Sequence, residues 1–433
     1  MMSSNASRIG STLETFREFG RTTHITETKV MHAGNEVCVP TYVNEFWTAK
    51  QRAAQALHEV SYRACFKPQL PRFFIERLTA TGDRVYDPFM GRGTTPLEAA
   101  LLGRVPIGCD VNPLSRILVG PRLSPPTEAD VAEGLSRIDF SRPSDAPEDL
   151  HVFYHPDTLR EICALRRYLL DREANGNLDS VDAWIRMVAV NRLTGHSPGF
   201  FSVYTLPPNQ AVSVESQRKI NRDREQVPPR RDVPSLLAKK TRALLGECDA
   251  KTRKVLASVA AQAHLLTAAS TSTPAIASES VALVVTSPPF LDVVDYAGDN
   301  WLRCWFCGIE ASSVKITIAK RLEDWKIAMT EVFRELHRVL VPGGHVAFEV
   351  GEVRGGKIRL EEAVVPCGAD AGLHPMLVLI NDQKFTKTAN CWGVENGVKG
   401  TNTNRIVLFQ KLDFRRGSSP IGSGTGKAKK SGD

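Results

Sequence analysis

The chain has no stretch approaching the ~18 consecutive apolar residues that a membrane-spanning helix requires. Its N-terminus, MMSSNASRIG, carries no apolar run behind its charges. Neither a membrane span nor a secretory leader is expected, and the protein reads as soluble and cytoplasmic. Cysteine supplies no framework either: nine residues, an odd number at irregular spacing, fit reduced thiols better than disulfides. One pair, Cys304 and Cys307 in CWFC, has CxxC spacing with no second pair near it, and reads as two small buried hydrophobes rather than a zinc or redox site. No metal is expected, and no internal repeat is present. What the chain does have is material for a core: 42% of its 433 residues are hydrophobic, enough for two or three domains. The formal charge of +7 is a mild excess that raises the prospect of a polyanionic partner without naming one.

Residues 83–123 read as strand, glycine loop, helix and strand. An apolar RVYD is followed by GRG, then by a helical TTPLEAALLG closed by Gly103, then by VPIGCD ending in an acid. This is one βαβ unit, the opening of a doubly wound sheet. Residues 281–350 supply more of it: a strand VALVV, a Ser-Pro-Pro turn and a helix from Asp324 with Trp325, Met329, Val332, Leu336 and Val339 on one face. The turn VPGG then leads into a strand HVAFEV. PMLVLI and NRIVLF predict two further strands. Between the blocks, over 136–275, helical signals (TLREICALRRYLL, VDAWIRMVAVNRL) give way to a Pro-rich piece and a basic run. The fold class expected is α/β, a doubly wound Rossmann-like sheet with an inserted, mostly helical second region. The expected divisions are an extension over 1–50, a first half of the sheet domain over 51–135, the insertion over 136–275, a second half over 276–414, and a disordered Gly/Ser/Lys-rich tail over 415–433.

In DPFMGRGTT, Gly91 and Gly93 stand directly after a strand, where missing side chains let backbone N–H groups and a helix N-terminus approach a ligand. Asp110 lies at the end of the next strand, where an acid accepts hydrogen bonds from ribose hydroxyls. A nucleoside cofactor is implied. The full G-x-G-x-x-G fingerprint is missing, because Leu97, Glu98 and Ala99 follow, and this disfavours a pyrophosphate-bearing one.

VVTSPPFLDVVDY ends a strand on two prolines. Neither has an N–H, and proline holds the preceding residue extended, so the carbonyls of Ser287 and Pro288 point in fixed directions with no ladder partner. An exocyclic amino group needs two acceptors, which the Ser287 hydroxyl oxygen and the Pro288 carbonyl supply, with Pro289 stiffening the turn. Phe290 offers a face on which a base that has left its helix can stack.

With both motifs read, the chain resembles the amino-methylating DNA methyltransferases, the N4-cytosine and N6-adenine family that uses S-adenosyl-L-methionine. DPFMGRGTT resembles the cofactor loop, with Asp87, Phe89, Gly91, Gly93 and Thr94. Asp110 resembles the ribose-binding acid and TSPPF the catalytic motif, Ser287 to Phe290. ACFKPQLPRFFIERL (Ala64 to Leu78) resembles the segment that closes over the methionine end, with Phe66, Lys67 and Pro68 at its centre. Serine at 287 resembles the N4-cytosine branch, since adenine enzymes more often carry Asp or Asn there. The order departs from many N4-cytosine enzymes, in which the catalytic motif precedes the loop. That order assigns target recognition to the 136–275 insertion. A Pro366-Cys367 pair does not follow the strand that the nucleophile of cytosine C5 methylation would follow, and Cys367 reads as structural.

Asp292, Asp295 and Tyr296 either bind substrate or cap the next helix. Asp299, Asn300 and Trp301 either line the cofactor pocket or cap a helix. The run from Gln217 to Lys254 carries Arg218, Lys219, Arg222, Arg230, Arg231, Lys239 and Lys240 and is expected to contact the phosphates of double-stranded DNA, against the alternative of a solvated face. GHSPGFFSVYTLPPNQ (Gly195 to Gln210) is either a base-contacting loop or a source of core aromatics. The resemblance thus implies a DNA methyltransferase acting on cytosine N4, with a cognate restriction endonuclease as a separately acting partner. Adenine N6, RNA bases and a non-catalytic nucleic-acid-binding regulator stand as alternatives.

Overall fold

The computed structural model describes residues 4–48, 54–62, 65–143, 146–205, 211–289, 296–314, 321–353, 358–382 and 403–413. Its strands, in chain order, are β1 (His24–His32), β2 (Asn35–Asn44), β3 (Arg84–Asp87), β4 (Val105–Asp110), β5 (His264–Thr267), β6 (Val281–Thr286), β7 (Leu340–Val350), β8 (Glu352–Val353), β9 (Ile358–Arg359), β10 (His374–Asp382) and β11 (Thr403–Gln410). Nine of them form one sheet in the order β1-β2-β10-β11-β7-β6-β3-β4-β5, and β8 pairs with β9. Strands β7, β6, β3, β4 and β5 run parallel, while β11 is antiparallel to both β7 and β10. From β3 the chain winds outward through β4 to β5, then returns to lay β6 and β7 on the other side of β3. The winding therefore reverses between β3 and β6, and the crevice outside the carboxyl ends of these two strands is where a sheet of this kind binds ligands.

Local sequence accounts for most of these elements. The strand VALVVT reads as a near-continuous apolar run because helices cover both faces of a parallel sheet, and Val281, Leu283, Val284 and Val285 are all buried. The helix Thr94–Leu101 starts at Gly93 and tolerates Pro96 in its first turn, where an N–H has no partner to lose. The helix Leu322–Val339 buries Trp325, Met329, Val332, Phe333, Leu336 and Val339, the stripe its 3.6-residue period predicts. Each of these side chains contributes about 1.5–3 kcal/mol of burial.

Three expectations need correction. The VPGG turn is not separate from its strand: β7 runs through it, and the pairing with β6 shifts register between Val281 and Leu283 instead. Gly343 adopts φ +82, and its N–H donates to the Lys411 carbonyl at 2.8 Å. The residues before 50 are not a mere extension. A helix Ser4–Glu14 precedes the β1–β2 hairpin, and β2 pairs in parallel with β10, widening the sheet. The insertion also ends before 275. Its helices Pro156–Ala174, Ser180–Val190, Val214–Asp223 and Val233–Leu245 lie outside the sheet, but Ala250–Ala260 packs on Thr94–Leu101 and on β4, and β5 pairs with β4. An amphipathic helix reveals which face it buries, not which neighbour receives it. Trp184, Leu237 and Phe306 share one apolar cluster with Leu97 and Leu118, so the insertion has no separate core. The tail over 415–433 lies outside the described residues.

At the reversal point the ends of β3 and β6 are joined by buried polar groups. The Thr286 hydroxyl donates to Asp87 Oδ1 at 2.6 Å, and the Phe89 N–H reaches the same oxygen at 3.0 Å. Thr95, at the start of the helix behind the loop, donates to the Val285 carbonyl at 3.0 Å. Burial pushes the Asp87 carboxyl up to about 7, while the bonds from Thr286 and Phe89 favour the ionised form. A carboxyl whose folded pKa is raised binds its proton more tightly folded than unfolded. Its contribution to stability is fully present below the ordinary carboxylate value and is lost as pH rises through about 7. The melting temperature should therefore fall more between pH 5 and pH 8 for the native chain than for Asp87→Asn. Circular dichroism melts of the two proteins check this, and equal falls would remove Asp87 as the source.

Candidate functional site

The glycine loop leaves β3 at Asp87 and turns through Gly91 (φ +47) and Gly93 (φ +76) into the helix Thr94–Leu101. Gly93 is obligatory on space as well as backbone: a Cβ there would lie 2.2 Å from Val119 Cγ2. At Gly91 a Cβ would meet the Tyr62 ring at 3.4 Å, so the cradle is closed from above by the segment preceding the helix Gln69–Leu78. Asp110, at the end of β4, accepts the Gly91 N–H on Oδ2 and the Asn112 N–H on Oδ1, both at 2.9 Å. The acid therefore shapes the loop first, and its remaining lone pairs are what it offers a ligand. Burial pushes its carboxyl up, and the Asn112 and Gly91 bonds pull it part of the way back. Phe89 packs against the sheet's apolar cluster, and the Thr94 hydroxyl accepts from Arg92 Nε at 3.2 Å.

Two arginines that sequence reasoning passed over hold the cover in place. Arg92 donates to the Val60 carbonyl at 3.0 Å and to the Phe66 carbonyl at 3.3 Å. Arg122 is fully buried; it donates to the carbonyls of Leu118 at 2.8 Å and Leu57 at 3.2 Å, and to that of Arg92. Burial and the nearby Arg92 charge bring the Arg122 guanidinium down to about 9. The sequence signal is Arg122 at the apolar end of the helix LSRILVGPRL, six residues after Arg116. Phe66 packs on the sheet's other face, and Lys67 lines a cavity beside Arg92. Asn300 is buried and accepts from Arg303 at 2.9 Å, while Arg303 donates onward to the Ser61 carbonyl at 3.1 Å. Asn300 thus reaches the cover through Arg303, and Trp301 donates to the Val212 carbonyl at 3.2 Å.

Across the crevice, Ser287, Pro288 and Pro289 follow β6. The Ser287 side chain hydrogen-bonds to Glu349 near the end of β7, whose Oε1 also accepts from Asn404 at 2.9 Å. Burial pushes the Glu349 carboxyl up, and these two bonds oppose it. The Pro289 carbonyl accepts from the Trp325 indole at 3.1 Å. Pro288 is buried, and no hydrogen bond among the described residues uses its carbonyl. Phe290, Asp292 and Asp295 lie outside the described residues. Glu349 was also missed, although an acid inside HVAFEV is the kind of misfit that signals a polar task. Cys367 sits buried in the helix Leu360–Asp370, its thiol donating to the Ala363 carbonyl at 3.1 Å. Cys304 and Cys307 are buried in the apolar cluster, where burial pushes their thiols up to about 11 and about 12.

Several cations of the basic run have partners within the protein. Arg230 pairs with Glu161, Arg218 with Asp149 at 2.6 Å, Lys240 with Glu59 at 3.2 Å, and the Arg231 N–H donates to Thr158 at 2.7 Å. These contacts dock the helices of the insertion onto acids contributed by earlier segments. Lys219, Arg222 and Lys239 are exposed. In the aromatic loop, Phe200 and Phe201 are core residues, with the Arg192 guanidinium 4.0 Å from the Phe200 ring centroid, and Arg224 lies 3.8 Å from that of Tyr204. Residues 206–210 lie outside the described residues.

Residues 28–115, which run from the hairpin through the glycine loop to just past Asp110, match the N6/N4-type DNA methylase family. The type II methyltransferase M.MvaI of Kocuria varians is 30% identical over 97 residues, 22% of this chain and 20% of that protein. M.BsoBI of Geobacillus stearothermophilus is 33% identical over 98 residues, 22% of this chain and 19% of that protein. The chain thus spans about a fifth of the length of the curated relatives it matches. Among solved structures, a SAM-dependent methyltransferase from Methanosarcina mazei aligns with 78% of this chain and 97% of its own at 11% identity, with a TM-score of 0.31. The segment that carries the glycine loop and its acid is thus similar to the amino-methylating DNA methylases, whose N4-cytosine and N6-adenine branches the match does not divide.

Proposed function

We propose that the protein is an S-adenosyl-L-methionine-dependent DNA methyltransferase that methylates the exocyclic N4 of a cytosine flipped out of duplex DNA. The observation that carries the reading is the meeting of a glycine loop and a Ser-Pro-Pro turn at one reversal point of the sheet, joined through Asp87 and Thr286. The residues present fit the cofactor. Gly91 and Gly93 leave backbone exposed at a helix start, Asp110 keeps lone pairs for hydroxyls, and Phe66 and Lys67 lie in the cover that Arg92 draws over the loop. S-Adenosyl-L-methionine, when bound, supplies an electrophilic methyl on a sulfonium.

The chain's own task is to make an amino nitrogen nucleophilic. That nitrogen's lone pair is delocalised into the base, and accepting both of its hydrogens localises the pair. An ionised Glu349 takes the Ser287 hydroxyl proton as a hydrogen bond, which turns the Ser287 oxygen's lone pairs toward the base. The Pro288 carbonyl is the second acceptor. Phe290 stacks on the base in this reading. Transfer would form one N–C bond as the sulfonium's bond to the methyl breaks, and the nitrogen's proton would pass to solvent; no cysteine attacks the ring. A serine at 287 favours cytosine over adenine, and a restriction endonuclease acting separately is the partner to seek.

Asp110→Asn should weaken S-adenosyl-L-methionine binding roughly tenfold or more in a folded protein, because ligand and loop both depend on its carboxylate. Calorimetry reads this, and unchanged affinity would take the cofactor away from this loop. Ser287→Ala and Glu349→Gln should each slow methyl transfer by roughly 10- to 30-fold, the loss of about 1.4–2 kcal/mol of transition-state hydrogen bonding. Cofactor affinity should stay the same in both; an unaffected rate in Glu349→Gln would separate it from Ser287.

Mass spectrometry of nucleosides from DNA of a host expressing the protein should find N4-methylcytosine. N6-methyladenine would move the base and keep the mechanism, whereas 5-methylcytosine would overturn both.

A further inference from the structure

A cavity of about 550 Å³ lies where the cover segment, the glycine loop and the inserted helices meet, lined by His58, Glu59, Lys67, Arg92, Arg192 and Lys240 among others. Four of these residues are cations and one is an acid. Glu59 pairs with Lys240 at 3.2 Å from a side chain that is 65% exposed, and its charge also reaches Arg192. The contacts of Arg92 are neutral: the carbonyls of Val60 and Phe66 and the hydroxyl of Thr94. Arg192 likewise donates to the Asn191 carbonyl at 2.7 Å and lies over the Phe200 ring. Behind the wall stands Arg122, whose hydrogen bonds also go to carbonyls.

Four cations gathered in a half-buried space with one acid at its rim repel one another and lose hydration, a cost that proteins carry where an anion is to be received. The cavity has a further open valence. His58 gives Nε2 to Glu98 at 2.7 Å, while its buried Nδ1 has no partner among the described residues. Burial lowers the pKa of Lys67, with Arg92 adding to the effect, and that of Lys240, with Arg192 adding to it; each lysine therefore senses the arginine beside it. Guanidinium and ammonium donors converging from different elements suit the tetrahedral oxygens of phosphate.

We propose that this cavity is a phosphate-binding site, in which Lys67, Arg92, Arg192 and Lys240 receive the oxygens of a phosphate group, either one in a nucleic-acid backbone or free phosphate. The site joins the insertion to the glycine loop, so an occupied cavity ties the two together. The nucleic-acid source, and only that source, rests on the DNA methyltransferase reading.

The test uses the full chain, titrated with inorganic phosphate at constant ionic strength and followed by calorimetry. Lys240→Gln should weaken phosphate binding roughly tenfold, the scale of one charge-assisted hydrogen bond. Glu59→Gln removes the acid from the rim and should tighten binding several-fold on the same scale; a purely structural role for the cluster would not produce this gain. Short duplex DNA should compete with phosphate, and the salt slope of DNA binding should shrink by about one unit in Lys240→Gln. Competition assigns the site to backbone phosphate, and binding without competition assigns it to free phosphate; either outcome supports the proposal. S-Adenosyl-L-methionine affinity should be the same in native chain, Lys240→Gln and Glu59→Gln. A parallel loss of cofactor affinity in Lys240→Gln would make the cavity part of the cofactor site and overturn the proposal. Phosphate binding that is absent, or indifferent to both variants in proteins of native circular dichroism, would overturn it as well. A native chain that binds phosphate but no S-adenosyl-L-methionine would leave this site standing and remove the methyltransferase reading.

Discussion

The hydrogen bond from Thr286 to the buried Asp87 carboxylate is the constraint on which the rest of the crevice depends. Parallel strands have no hairpin to fix the relative position of their ends. Between β3 and β6 the paired residues are Val85 with Leu283 and Tyr86 with Val284, so the ladder stops before the loops begin. Beyond it, the bond at 2.6 Å and the Phe89 N–H on the same oxygen set how far the glycine loop stands from the Ser-Pro-Pro turn. Thr95 repeats the link from the helix side by bonding Val285. A buried carboxyl is costly unless its lone pairs are used. Here the partners that satisfy it are the groups that join the glycine loop to the end of β6.

The same economy governs the cover over the loop. Arg92 and Arg122 are placed where a carboxylate could have neutralised them, yet their hydrogen bonds go to carbonyl and hydroxyl oxygens. A planar guanidinium with five donors can gather several carbonyls from segments that lack regular pairing, and it cannot discharge by losing a proton in ordinary conditions. Leu57, Val60 and Phe66 are held in this way against the loop. The positive charge left uncancelled faces the cavity that also contains Lys67, Arg192 and Lys240.

Charge in the sequence does not show which cations have acids beside them. The run from Gln217 to Lys254 reads as one basic face, but Arg230 is matched by Glu161, Arg218 by Asp149 and Arg242 by Glu128, acids 69 to 114 residues earlier in the chain. Local composition counts the cations and is blind to partners that folding brings from so far away. Exposure and pairing are separate matters here: Arg218, Arg230 and Arg242 stay exposed although each has an acid beside it, as do Lys219, Arg222 and Lys239.

The sequence by itself determined the β3–loop–β4 unit, the strand before the Ser-Pro-Pro turn and the long helix that follows. Each is specified by local chemistry: apolar period, glycine where φ is positive, and proline where a ladder must end. Tertiary structure alone decided that β1 and β2 widen the sheet, that Ala250–Ala260 and β5 belong to the sheet rather than to the insertion, and that Glu349 meets Ser287. Those outcomes rest on pairings between segments far apart in the chain. An apolar stripe or a lone acid states that a partner is required, and only the packed molecule supplies which one, because any compatible surface would satisfy the local requirement equally well.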